Sequence, residues 1–344
     1  MVQARFVSHH TSNISLIGGG IIDGSVFSRI AGQPSGNTQF VPIDFNYCKN
    51  VLLKGITFLD PAGWCVNFYF IEDALIDGIN IITSRSNGDG ISLQSNQNVE
   101  VKNCFVRTWD DSLVVKNYPH WSDKSKHGLT RNIKFEDIII WTDLAQSMEI
   151  GYETIGETLE DVIFDNITVL HNLHKPVISI HNGNNAKIKN IKFKNITVED
   201  ASMGLGDASS NNELIDIRVL YSSNFSSNHV VTPLGTISNV EIDNVKVISG
   251  NNNIPITIKG YYDNRYDSTH FVTNVSIKNV EIKGSIIKSN YPFLRTNEYI
   301  NNLIISNDNN KINGAIIKRK WSKEELKEYS KVPIVIKNRN IVTV

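Results

Sequence analysis

The sequence predicts an all-β chain folded as a single-stranded right-handed parallel β-helix, on three observations. A short motif recurs along most of the length: an Asn or Asp, then β-branched residues in alternation, then a second Asn, Asp or Gly five places on and another β run. The motif returns at intervals close to one coil of such a solenoid, 23 to 29 residues between Asn50 and Asp73, Asp73 and Asn98, Asn132 and Asp161, and Asp161 and Asn190. Val, Ile and Thr dominate the runs with period two, and no long helical periodicity interrupts them.

The elements follow in order. Weak copies of the motif begin at Asn13 and Asn302, and strong ones at Asn50, Asp73, Asn98, Asn132, Asp161, Asn190, Asn239 and Asn274. The second corner of each coil falls at Asn103, Asn166, Asn195, Asn244 and Asn279. Asn tolerates left-handed dihedrals and bonds its own backbone, so these corners read as structural ladders rather than chemistry. Irregular intervals place insertions in the turns. Residues 117–131 and 201–235 are too polar for core and too long for tight turns, and are expected to overhang a groove. Ser322, with Glu325 three residues on, fits a capping box opening a short helix, Lys323 to Tyr329, that would close the far end. Residues 1–344 then form one solenoid domain. Little sequence precedes the first repeat to cover its open edge, which suggests an N-terminal cap or domain outside this chain.

Composition narrows the partners. Lys and Arg number 34 against 35 Asp and Glu, a net charge of −1, which gives no electrostatic case for nucleic acid or an anionic membrane. No apolar run approaches the ~20 residues of a membrane span, and the first residues lack the apolar core of a signal peptide. Cys48, Cys65 and Cys104 have neither disulfide-framework nor metal-ligand spacing and read as buried small side chains.

The informative stretch is Asn87 to Lys116. Asp89 precedes one strand, Gly90 to Gln94, and Asp110-Asp111 precede another, Ser112 to Lys116. Asp89 and Asp111 are 22 residues apart, one coil, so they should stack at the strand spacing of about 4.8 Å with Asp110 beside them. A lone Asp before a strand is a turn cap. Three crowded carboxylates repel one another and push at least one pKa up, which turns do not require and acid–base catalysis does.

Alternation aligns the following strands as Ser147 to Gly151 and Val177 to His181. Ile91, Leu113, Met148, Ile178 and Leu93, Val115, Ile150, Ile180 then point inward, all apolar. Ser92, Val114, Glu149, Ser179 and Gln94, Lys116, Gly151, His181 point outward. Candidate substrate contacts on that face are Gln94, Lys116, Glu149 and His181, flanked by the aromatics Trp109, Tyr118, Trp121 and Tyr152 for stacking on sugar rings. Glu149 reads as solvated, paired with Lys116, or touching substrate. His181 reads as a rim residue, His127 as an exposed loop histidine, and Trp109 as a platform or a buried plug.

At these residues the chain resembles the β-helical glycoside hydrolases of the polygalacturonase and dextranase clan, families 28 and 49, over roughly residues 13–200. Asn87-Gly88-Asp89-Gly90 is similar to the polygalacturonase Asn-Thr-Asp motif, and Trp109-Asp110-Asp111 to its Asp-Asp motif. The Gly-His-Gly coil is missing, and by this register Glu149-Ile150-Gly151 occupies the strand where an Arg-Ile-Lys run grips the uronate carboxylate. A carboxylate there would repel polygalacturonate. The dextranase and isopullulanase family lacks both features and is similar in the run from Asp110-Asp111 through Trp141 and Glu149 to Tyr152, on to Val162 to Ile167 and His171.

The resemblance implies a pectin-lyase-like solenoid and a secreted, inverting, endo-acting glycoside hydrolase without a cofactor. Asp110 would be the general acid, and Asp89 and Asp111 would activate water. Its substrate is expected to be a polysaccharide, foremost a neutral α-glucan such as dextran. The alternatives are a polygalacturonase-like pectin hydrolase, a Ca²⁺-dependent lyase with Lys116 as base, and a non-catalytic glycan-binding solenoid.

Overall fold

The computed structural model describes residues 5–27, 41–118, 128–172, 176–201, 213–222, 232–250, 254–305, 316–317 and 341–342. Ten short strands run in parallel in chain order down one sheet: β1 (Phe6–His9), β2 (Ile43–Asn46), β3 (Val66–Tyr69), β4 (Ile91–Gln94), β5 (Leu113–Asn117), β6 (Met148–Thr154), β7 (Ile178–Asn182), β8 (Ile215–Val219), β9 (Ile256–Lys259) and β10 (Leu294–Thr296). A second sheet of fifteen strands takes the other two sides of each coil. Its longest members, such as Gly156–Asn172, bend at two left-handed residues, Asp161 (φ 56°) and Asn166 (φ 53°).

These corners are the motif Asn and Asp residues expected from sequence, and each ties one coil to the next. Asn98 donates to Asp73 at 2.9 Å, Asn132 to Asn98 at 2.9 Å and Asn274 to Asn239 at 3.1 Å. A second ladder runs through Asn166 to Asp137 and Asn244 to Asn195. An Asn is preferred because it combines a left-handed backbone with a donor aimed along the stack.

The expected register is the one found: Ile91, Leu113, Met148 and Ile178 pair in sequence, as do Leu93, Val115, Ile150 and Ile180, and all eight are buried. Phe135, Phe164 and Phe193 stack down the second sheet with ring centroids 4.7 and 4.8 Å apart. Phe164→Ala empties the middle of this column, and we expect it to cost about 3–5 kcal/mol, read as a lowered urea midpoint. Cys48, Cys65 and Cys104 are buried and free.

Two expectations change. Residues 201–235 are not all overhang, because β8 lies within them. Leu214, Ile215, Ile217 and Val219 are buried, while Asp216 and Arg218 project to the outer face. The Ser- and Asn-rich runs on either side hide the strand's alternation. The helix at Lys323 to Tyr329, Trp121, His127 and the tip of the 117–131 insertion lie outside the described residues.

Candidate active site

The site is built on the turns that feed β4 and β5. Gly90 N–H donates to the Asp111 carbonyl at 2.8 Å and Ile91 N–H to that of Ser112 at 2.9 Å, so Asp89 stands on Asp111 as the one-coil spacing requires. Gly90 permits this stacking, because a Cβ there would lie 2.3 Å from the Ser112 carbonyl oxygen. A run of hydroxyls anchors the turn from within: Thr108 to Ser112 at 2.6 Å, Ser112 to Thr142 at 2.8 Å, and Thr142 to Ser147 at 2.9 Å. Asp110 Oδ1 accepts the Asp111 N–H at 3.0 Å, and Asp111 Oδ1 accepts the Gln146 N–H at 3.1 Å.

Carboxylate oxygens of Asp89, Asp110 and Asp111 lie within 4.8 Å of one another. Asp89 is buried and its Oδ1 has no hydrogen-bond partner among the described residues. Burial, then the charges of Asp110 and Asp111, push the Asp89 pKa well up. Burial and the Asp110 charge push Asp111 up to about 8. Asp89 and Asp111 therefore titrate together and retain a proton near neutral pH.

Lys116 moderates this crowding. Its Nζ is 3.3 Å from Glu153 Oε2 and 5.3 Å from the centre of the Trp64 ring. Burial alone would lower its pKa, but Glu153, Asp111 and Asp89 hold it above the ordinary lysine value. Trp109 and Tyr118 are half-buried beside this group, and the Tyr118 hydroxyl is raised by burial and by Glu153. Trp64 and Glu153 escaped the sequence reading. Glu153 reaches Lys116 because the pairing of β5 with β6 slips after Val115, where a bulge adds residues that alternation does not register.

The other candidates sit differently from the sequence expectation. Gln94 is fully buried, its amide donating to Asn67 at 2.6 Å, and presents no surface to a substrate. Glu149 is neither solvated nor paired with Lys116. It is buried, accepts the Ser179 hydroxyl, and lies 2.9 Å from His181 Nδ1. His181 is not a rim residue either: its Nε2 is 2.9 Å from Asp216 and the Tyr152 ring stacks on it at 4.3 Å, so Tyr152 covers a histidine. Burial would lower the His181 pKa, but Glu149 and Asp216 outweigh it and raise it to about 9. Asp216 in turn stays ionised because Arg218 and His181 overcome its burial. Gly151 accepts this packing, since a Cβ there would lie 2.0 Å from the His181 carbonyl oxygen.

Comparison with known proteins agrees with the solenoid. Residues 2–206 match the family described as Glycosyl hydrolases family 28, and the chain belongs to that family. A probable polygalacturonase of Vitis vinifera is 24% identical over 187 residues, covering 52% of this chain and 38% of that protein. A polygalacturonase of Medicago sativa is 24% identical over 236 residues, covering 54% of each. The chain thus spans about half or less of the length of these relatives. Among solved structures, a hyperthermoactive exopolygalacturonase from Thermotoga maritima superposes with a TM-score of 0.57 at 17% identity, over 87% of this chain and 71% of that one. Its fold makes the solenoid a right-handed parallel β-helix.

These matches correct the dextranase-like reading, which finds no support among them. The physical error lies at Glu149. Buried against a protonated His181, that carboxylate does not meet a substrate as a bare negative charge.

Proposed function

We propose that the chain hydrolyses glycosidic bonds in a polyuronate of the pectin class. The observation that carries the chemistry is the trio Asp89, Asp110 and Asp111, with carboxylate oxygens within 4.8 Å on two stacked turns and with Asp89 and Asp111 pushed up by burial and crowding. Asp110 takes the general-acid role that the family resemblance implies, and of the stacked pair Asp89 and Asp111, which titrate together, the ionised member activates the water. Trp64, Trp109, Tyr118 and Lys116 border the trio and suit an anionic sugar with an apolar ring face. Family membership and the names of the relatives supply the substrate class.

The lyase reading is weaker on this geometry. A base must be neutral to take a proton, and Lys116 is held charged by Glu153, Asp111 and Asp89.

Incubation with polygalacturonate, dextran, pullulan and α-1,3-glucan, read by new reducing ends, tests the proposal. We expect cleavage of polygalacturonate alone, and release of sugars from a neutral glucan instead would overturn it. The product anomer, followed by NMR, separates inversion, which the family resemblance implies, from retention. An inverting pair is ordinarily ~6.5–9.5 Å apart and a retaining pair ~5–5.5 Å.

A further inference from the structure

Directly after β9 the chain forms a small antiparallel hairpin, Tyr261–Asp263 against Ser268–His270. Its root is tied to the next coil. The Asn297 side chain donates to the Gly260 carbonyl at 2.8 Å and accepts the Gly260 N–H at 3.2 Å. Gly260 permits this closure, because a Cβ there would lie 2.2 Å from the Tyr299 carbonyl oxygen and 2.5 Å from that of His270. Alternation puts Ser268 and His270 on one face of the hairpin, with Asp263 directly across from Ser268.

His270 is buried and Ser268 is partly exposed. Ser268 Oγ lies 2.8 Å from His270 Nε2, and His270 Nδ1 lies 3.1 Å from the Gly235 carbonyl oxygen. A carbonyl can only accept, so Nδ1 carries the ring hydrogen. In the neutral ring Nε2 is then bare and accepts the Ser268 hydroxyl. Burial, with the Arg265 charge adding to it, holds the His270 pKa below the ordinary histidine value against the pull of the Gly235 carbonyl and Asp263. The ring can therefore take a proton. A nucleophile, a base in the tautomer that faces it, and a third group orienting that base stand in one line.

We propose that Ser268 and His270 form a second catalytic site, a serine nucleophile with its base, that hydrolyses small O-acyl esters. The Ser268 oxygen adds to the acyl carbon and its proton passes to His270 Nε2. The ester C–O bond then breaks, and the leaving alcohol takes that proton. Water adds to the acyl-serine with His270 again as base, which releases the carboxylic acid and restores the hydroxyl. Asp263 binds Arg265 through both carboxylate oxygens, at 2.8 and 2.7 Å, and the guanidinium carbon lies 3.7 Å from the centre of the Tyr221 ring and 5.5 Å from that of Tyr266. Because Asp263 stands across from Ser268, a fixed cation and two ring faces lie on the serine's side of the hairpin. They suit an ester whose carbonyl oxygen becomes negative in the transition state. The Asp trio takes no part. β9 lies four strands beyond β5, about 19 Å along the solenoid, and the hairpin follows its strand whereas the trio precedes β4 and β5.

A fluorophosphonate probe and p-nitrophenyl acetate test the site without any polysaccharide, so the result is independent of the polyuronate reading. We expect a covalent adduct on the wild-type peptide that contains Ser268, located by mass spectrometry. Turnover of p-nitrophenyl acetate should fall about 10²-fold or more in Ser268→Ala. The adduct should also disappear in His270→Gln, where Ser268 is still in place but its base is gone. Reading the adduct on the wild-type chain keeps the test valid even if a variant folds poorly. No adduct at Ser268, an adduct that persists in His270→Gln, or turnover unchanged in Ser268→Ala overturns the site. A serine that merely satisfied the ring of a buried histidine would give no adduct and no loss of turnover.

Discussion

Asp110→Asn is expected to lower kcat on polygalacturonate by about 10²- to 10⁴-fold, the range removed with a positioned acid or base, while leaving KM close to its wild-type value. The substitution is isosteric, and its side-chain oxygen still accepts the Asp111 N–H that Asp110 Oδ1 accepts now at 3.0 Å. Folding should not suffer. Three carboxylates within 4.8 Å repel one another, so removing one charge relieves the native state, and the thermal midpoint should hold or rise slightly. The pH profile should shift as well. With Asp110 uncharged, Asp89 and Asp111 lose a neighbour that raises both, so their titration moves to lower pH. A variant with near wild-type kcat would remove Asp110 from the chemistry. A fully inactive variant with a collapsed melting transition would instead make it structural, and comparing kcat with the melting midpoint separates the two cases.

Much of this site was legible in the sequence because a parallel solenoid turns sequence spacing into spatial stacking. The 22 residues from Asp89 to Asp111 placed one carboxylate on the other without further information. Strict alternation gave the inward columns, since a slip of one residue would have buried Ser92, Val114 and Glu149 in the apolar core. The Asn corners were legible for a similar reason, as the left-handed backbone selects the residue type.

What alternation cannot show is what covers an outward side chain. It assigned Glu149, His181 and Gln94 to the outer face correctly, and the inference from outer face to solvent failed for all three. Glu149 and His181 are closed off by Asp216 and Tyr152, which approach from a strand hidden in a polar stretch and from a bulge that shifts the register. The substrate argument built on Glu149 failed with it. Coulomb repulsion by a carboxylate depends on whether a cation already neutralises it, and here the cation comes from the next coil of the solenoid, a contact that no local motif records.

The buried His181 should be worth the most to stability of any polar side chain near the site. His181→Ala leaves Glu149 and Asp216 facing each other across an empty space, both fully buried, and losing one partner from a buried charged network typically costs about 3–5 kcal/mol. His181→Gln keeps a polar group between them and should lose less. The pH dependence carries a distinct signature. The folded pKa of about 9 lies above the ordinary histidine value of 6.5, so the stabilisation from the His181 proton is fully present below about pH 6.5 and is lost as pH rises through 9. Asp216 has the opposite sense, since its depressed pKa contributes stability above the ordinary aspartate range and loses it only in acid. The interval between those limits is where the network holds. Denaturant midpoints of wild type and His181→Gln, taken from pH 5 to pH 10, should therefore differ most near pH 6 and converge toward pH 10. A difference that stays constant across this range would mean that His181 acts by packing under Tyr152 rather than by its charge.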